Sequence, residues 1–68
     1  MNVLFSASRN YSTENAIEFL NYRIERFKGS SGSVSQLIVA NAKNSLKIIE
    51  NNPKRGYWHL SASCNIIH

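Results

Sequence analysis

Residues 29–33, Gly-Ser-Ser-Gly-Ser, lie between two segments with helical hydrophobic spacing. A run of this composition is flexible. Five residues are too few to separate domains, so the run joins neighbouring elements that fold back on each other. Gly29 suits the left-handed position just past a helix end. Ser33 is expected to cap the following helix, with Gln36 three residues later completing a capping box. Val34, Ile38, Ala42, Leu46 and Ile49 then recur at helical spacing, and Leu37 widens the stripe. This second helix is expected over about 34–50. Asn52 precedes Pro53 and is pushed out of the helical region, which ends it. Ile38 and Val39 favour sheet and would make residues 35–40 a strand. The capping box and the long periodic tail decide for helix.

The segment before the turn has a matching pattern. Ser12 or Thr13 caps a first helix, with Glu14 in its positive first turn. Ile17, Leu20, Ile24 and Phe27 form the stripe, with Ala16 beside it. Phe19 and Tyr22 lie off the stripe and either widen it or face a second subunit. Arg23, Arg26 and Lys28 suit the negative end of the helix.

The flanks read as strands. Residues 2–8 alternate Val3, Phe5 and Ala7 against Leu4, Ser6 and Ser8, the pattern of a half-buried strand. Arg9 and Asn10 are expected to lead into a turn. Lys54, Arg55 and Gly56 form another turn. Residues 57–67 then alternate Trp58, Leu60, Ala62, Cys64 and Ile66 against Tyr57, His59, Ser61 and Ser63. The result is one small α+β domain over 1–68, with a strand-helix-helix unit at 2–52 and a C-terminal extension, read as a strand, at 53–68. The first strand has two possible partners. It pairs with its counterpart in a second chain, or with residues 57–64 of its own chain to give a single-chain β-α-α-β unit.

Size and charge narrow the function. A chain of 68 residues buries only about 60% of its unfolded surface, so a lone core is marginal. The single cysteine, Cys64, excludes an internal disulfide, and His59, Cys64 and His68 on one tail do not make a metal site. No cofactor is expected. Association into a homodimer is the expected stabiliser. Eight Lys and Arg against four Glu leave a net charge of +4, which favours an anionic partner, although small proteins also carry such an excess without one. No apolar run approaches the roughly 18 residues of a membrane span, and the first residues lack the basic region of a signal peptide. A cytoplasmic protein with a reduced thiol is expected.

Catalysis has no constellation behind it. Glu14, Glu18, Glu25 and Glu50 all fall in expected helices, and paired-carboxylate chemistry needs acids that converge in a pocket. Cys64 and His59 are five apart, which on a strand places them on opposite faces. No Gly-rich phosphate loop follows a strand. Residues 29–33 do offer free backbone N–H groups at a helix start, which binds anions by geometry and dipole.

The order strand, helix, Gly-Ser turn, capped helix resembles the ribbon-helix-helix repressors, the Arc and MetJ class, over about residues 2–50. The closest part is residues 32–46, Gly-Ser-Val-Ser-Gln-Leu-Ile-Val-Ala-Asn-Ala-Lys-Asn-Ser-Leu. The resemblance implies a dimeric transcriptional regulator whose paired N-terminal strands enter the major groove of DNA. Leu4, Ser6 and Ser8 would then face bases, with Asn10 at the end. Gly32, Ser33, Val34 and Ser35 would grip backbone phosphate, and Arg9 and Lys28 would add charge. The reading face departs from the family in carrying no Arg, Lys or Gln, the better base readers. The alternative is a β-α-α-β module that binds a protein through Phe19, Tyr22, Tyr57 and Trp58, since aromatics anchor interfaces. The partner of the first strand discriminates. Pairing within one chain favours the second reading.

Overall fold

The computed structural model describes residues 8–67. The order is β1 (Ser8–Ser12), α1 (Thr13–Phe27), α2 (Ser33–Glu50) and β2 (Tyr57–Ser61). This is the single-chain β-α-α-β arrangement. The expected strand face of Val3, Leu4, Phe5, Ser6 and Ala7 lies outside the described residues.

β1 and β2 pair antiparallel, from Ser8 opposite Ser61 to Ser12 opposite Tyr57. Arg9 and Asn10 therefore belong to a strand and not to the expected turn. Tyr11 accounts for the difference: it extends the alternation beyond Asn10, and its ring stacks on Phe19 of α1 with centroids 5.0 Å apart. Trp58 and Leu60, two apart on β2, are buried with Ala16 and Leu20 of α1. Their neighbours Tyr57, His59 and Ser61 fall on the opposite face by strand alternation.

α1 begins as expected. The Ser12 hydroxyl accepts from the Asn15 amide at 3.2 Å, a side-chain cap. Thr13 joins the helix start to β2. Its amide donates to the Gly56 carbonyl and its hydroxyl donates to the Arg55 carbonyl at 2.6 Å. α1 ends at Phe27 with Lys28 as its cap, still in helical geometry, so the helix stops at Gly29 as expected. No glycine among the described residues has a positive φ, so Gly29 does not take the left-handed position. The chain leaves α1 through Lys28 N–H to Ile24 O and Ser30 N–H to Phe27 O bonds.

α2 also departs from its expected cap. Gly32 is the N-cap and has no side chain to offer; Ser33 is already helical. The Gln36 side chain reaches the Ser31 carbonyl at 3.5 Å instead of closing a capping box. Ala42, Ser45 and Ile49 are buried, and Ile38, Leu46 and Ile48 pack beside them. The start of the stripe is uncovered: Val34 is 70% and Leu37 58% exposed. The helix starts beyond the part of the core built by Trp58, Leu60 and Cys64.

The C-terminal strand is shorter than the sequence alternation suggests. It breaks after Ser61, where the Cys64 amide donates to the Ser61 carbonyl and the Ser61 amide to the Asn65 carbonyl. The chain then doubles back, so that Ile66 bridges Leu60 and the Ile67 amide donates to His59 O. Cys64 sits in this turn with φ 71°, a left-handed geometry unusual for a side chain with a Cβ. The turn is held to α2 by Ser45, whose buried hydroxyl donates to the Cys64 carbonyl at 2.6 Å, and by Asn41, which donates to Ser63 O.

Arg23 reaches from α1 to the same turn and donates to the Ala62 carbonyl at 2.8 Å. Its guanidinium lies 5.6 Å from the Phe19 ring centroid and 5.2 Å from that of Phe27. Its Nε is buried without an acceptor. An unsatisfied buried donor costs about 1–3 kcal/mol, more when charged.

Candidate nucleic-acid interface

One face of the two-stranded sheet packs on α1; the other carries Ser8, Asn10 and Ser12 beside Tyr57, His59 and Ser61. Cross-strand pairing brings Asn10 opposite His59 and Ser12 opposite Tyr57. Asn10 is exposed, and Tyr57 is 61% exposed. The face therefore combines a flat stacking surface with short hydrogen-bonding side chains.

Local bonds order part of this face. His59 Nε2 lies 2.7 Å from the Ser8 hydroxyl. Ser61 is engaged in the following turn, accepting from the Asn65 amide at 3.1 Å. Arg55 lies at the other end. Its Nε donates to the Tyr57 carbonyl at 2.9 Å, and its Cζ lies 4.2 Å from the Trp58 ring centroid and 5.5 Å from that of Tyr57. The guanidinium thus stacks on aromatic rings and keeps its charge beside Tyr57.

Charge is unevenly divided. Arg9, Lys54 and Arg55 lie in β1 or in the segment from Asn51 onward, and neither holds a carboxylate. All four Glu are in α1 or α2, as the sequence indicates. Lys54 and Arg55 put positive charge at the Tyr57 end of the sheet, which attracts polyanions, while Arg9 lies on the opposite face.

The structure divides the residues expected to touch DNA. Ser8 and Asn10 do share one strand face. Arg9 is on the same strand but shares the other face with Tyr11. Lys28, Gly32, Ser33, Val34 and Ser35 cluster at the bend between the helices. The two groups are not brought together, because β1 makes no contact with α2. Lys28 is also drawn toward Glu25, 3.0 Å away. Leu4 and Ser6 lie outside the described residues.

The aromatic patch expected for a protein partner is broken up. Trp58 is only 1% exposed and belongs to the core, while Phe19 is half-buried against Tyr11. Tyr22 and Tyr57 remain exposed, on different elements. Sequence reasoning missed the role of Tyr11 and the bond between His59 and Ser8. The alternation of Arg9 and Tyr11 around Asn10 was the available signal for the strand.

Among the described residues no cluster of His, Cys, Asp or Glu has the makings of a metal site, and no helix is long and apolar enough to cross a membrane. Cys64 is buried against Ser45 and is not paired with His59. Burial pushes its thiol pKa up, and hydrogen bonding and charge from Arg23 pull the other way. Comparison with known proteins finds no matching family model, no matching curated protein and no matching solved structure. The ribbon-helix-helix resemblance therefore rests on the sequence pattern alone.

Proposed function

We propose that this chain is a nucleic-acid-binding module that holds single-stranded segments on its open sheet face. The observation that carries this reading is the exposed Tyr57 beside Arg55 and Asn10, on a sheet layer without carboxylates. Single strands are bound by aromatic side chains that stack bases and by cations that follow the backbone. Tyr57 supplies the stacking surface. Arg55 and Lys54 supply charge at one end. Asn10 and His59 supply donors and acceptors to base edges.

This reading keeps the anionic partner expected from the charge and changes how it is held. A major-groove ribbon requires β1 to pair with a second chain, whereas β1 here pairs with β2. Among the described residues no other strand occupies the far edge of β1. A homodimer formed along that edge would create a four-stranded sheet and double the length of the binding face.

Intrachain pairing also favours a second reading, a module that binds a protein. Its surface would be Val34 and Leu37, the uncovered start of the α2 stripe, with Tyr22 as a separate contact. The two readings use different faces and are separable by mutation.

The test is fluorescence anisotropy with a labelled oligothymidylate, a duplex of equal length and a salt series. The expected result is preference for the single strand, with log affinity falling linearly in log salt at a slope near −0.7 for each phosphate contact. Absence of binding at low salt overturns the proposal.

A further inference from the structure

A cleft of about 310 Å³ opens where Ser8 faces Ser61, and Arg9, Tyr11, Arg23 and Leu60 line it. Its lining residues include two arginines and no Asp or Glu; the Ser8 and Ser61 hydroxyls are already engaged, with His59 and with Ser63. Arg23 is the informative member. One of its Nη groups is committed to the Ala62 carbonyl and its Nε is buried away from solvent, so the remaining Nη donors are the ones available to the cleft; Phe19 and Phe27 lie 5.6 and 5.2 Å from its Cζ. No ion pair to Arg23 exists among the described residues.

A guanidinium is a rigid fork of five donors that matches the oxygens of an oxyanion. Aromatic flanks fix its orientation in advance, so little freedom remains to be lost on binding. Arg9 brings a second positive charge to the same space. The cleft is larger than a bare anion needs and falls near the lower bound, about 300 Å³, of small-ligand pockets. Leu60 and Tyr11 give the remaining space an apolar wall.

We infer that this cleft binds a phosphate monoester, with the phosphate on Arg23 and Arg9 and the body of the ester against Tyr11 and Leu60. The ester has two possible sources, a free mononucleotide-like molecule or the terminal phosphate of a nucleic-acid strand. Ser8 and Ser61 border both the cleft and the open sheet face, so a strand end has access. The phosphate site stands without the sheet-face reading, because Arg9 and Arg23 already share this cleft.

The test follows the arginine Nε–Hε resonances of the full chain by NMR at constant ionic strength. Inorganic phosphate, adenosine monophosphate and chloride are titrated separately. Oligothymidylates with and without a 5′-phosphate follow. The expected result is a saturable shift of the Arg23 resonance with phosphate, tighter with the nucleotide and absent with chloride. Arg9→Gln, a change on an exposed side chain, weakens phosphate binding about tenfold. Arg23→Lys keeps the charge, loses the fork and weakens it at least as much. If Arg23→Lys unfolds the chain, Arg9→Gln still decides. Tyr57→Ala leaves the phosphate titration unchanged even where it abolishes strand binding, so the two proposals fail separately. Tighter binding of the 5′-phosphorylated strand identifies the strand end as the source; equal binding of both strands, with nucleotide saturation retained, identifies the free ester. A shift that grows linearly and equally with chloride overturns the proposal, as does saturation at other arginines with Arg23 unmoved.

Discussion

The indole Nε1 of Trp58 donates to the hydroxyl of Thr13 at 3.1 Å, joining the core residue of β2 to the first residue of α1. The same hydroxyl donates to the Arg55 carbonyl. One small side chain therefore satisfies two polar groups where the sheet meets the helix. Thr13→Val keeps the shape and removes both bonds. It is expected to lower stability by about 1–3 kcal/mol, since a buried donor and an acceptor lose their partners. Urea unfolding followed by Trp58 fluorescence measures this directly. Ser12→Ala removes only the helix cap and is expected to cost about 1 kcal/mol.

The turn at Cys64 depends on Ser45. The Ser45 hydroxyl is the buried bond from α2 to the Cys64 carbonyl, and it holds a residue whose backbone is in the left-handed region. Ser45→Ala is expected to destabilise the chain by about 1–2 kcal/mol. It should also speed amide exchange at Ile67, whose N–H bonds to His59 through this fold-back. Unchanged exchange at Ile67 would show that the turn holds without Ser45.

Cys64 also gives a pH dependence. Burial raises its thiol pKa, so the folded chain retains the proton at pH values where the unfolded chain has lost it. The resulting stability is fully present below the unfolded pKa and is lost as pH rises through the folded one. Stability is therefore expected to fall through the alkaline range more steeply in the natural chain than in Cys64→Ala. The thiol is expected to react slowly with a disulfide reagent until urea unfolds the chain. Rapid labelling in the folded state would contradict its burial.

Two substitutions separate the ways of binding nucleic acid. Tyr57→Ala removes the stacking surface and is expected to weaken single-strand binding by about 1–3 kcal/mol, while Tyr57→Phe retains most of it. Ser33→Ala with Ser35→Ala alters the α2 start, which a ribbon-helix-helix protein would set against phosphate. On the sheet-face account this double change leaves single-strand affinity unaltered. Loss of affinity in the double variant, with Tyr57→Ala neutral, would return the phosphate grip to the helix start.

Much of the fold is legible in the residues because each helix carries its own period and its own punctuation. Ile17, Leu20 and Ile24 announce α1, Ser12 starts it, and the Gly-Ser run forces the hairpin. Trp58 and Leu60 announce β2. The misread positions are those where a distant contact overrides a local signal. Arg9 and Asn10 look like a turn until Tyr11 is seen stacked on Phe19. Cys64 continues the alternation of β2, yet Ser45 and Asn41 hold its turn against α2. The cap of α2 passes to Gly32, with Ser33 already helical and Gln36 turned toward the Ser31 carbonyl. The cleft around Arg23 was hidden for the same reason. Ser8, Arg23 and Ser61 are far apart in the chain, and only the pairing of β1 with β2 and the packing of both on α1 bring them together.

The most direct measurement of the central claim maps amide chemical shifts of the full chain during titration with a short oligothymidylate. The account predicts that the largest shifts fall on Asn10, Tyr57 and His59, with the α2 start at Ser33 to Ser35 quiet. Shifts confined to the helix bend, with the sheet face unmoved, would contradict it.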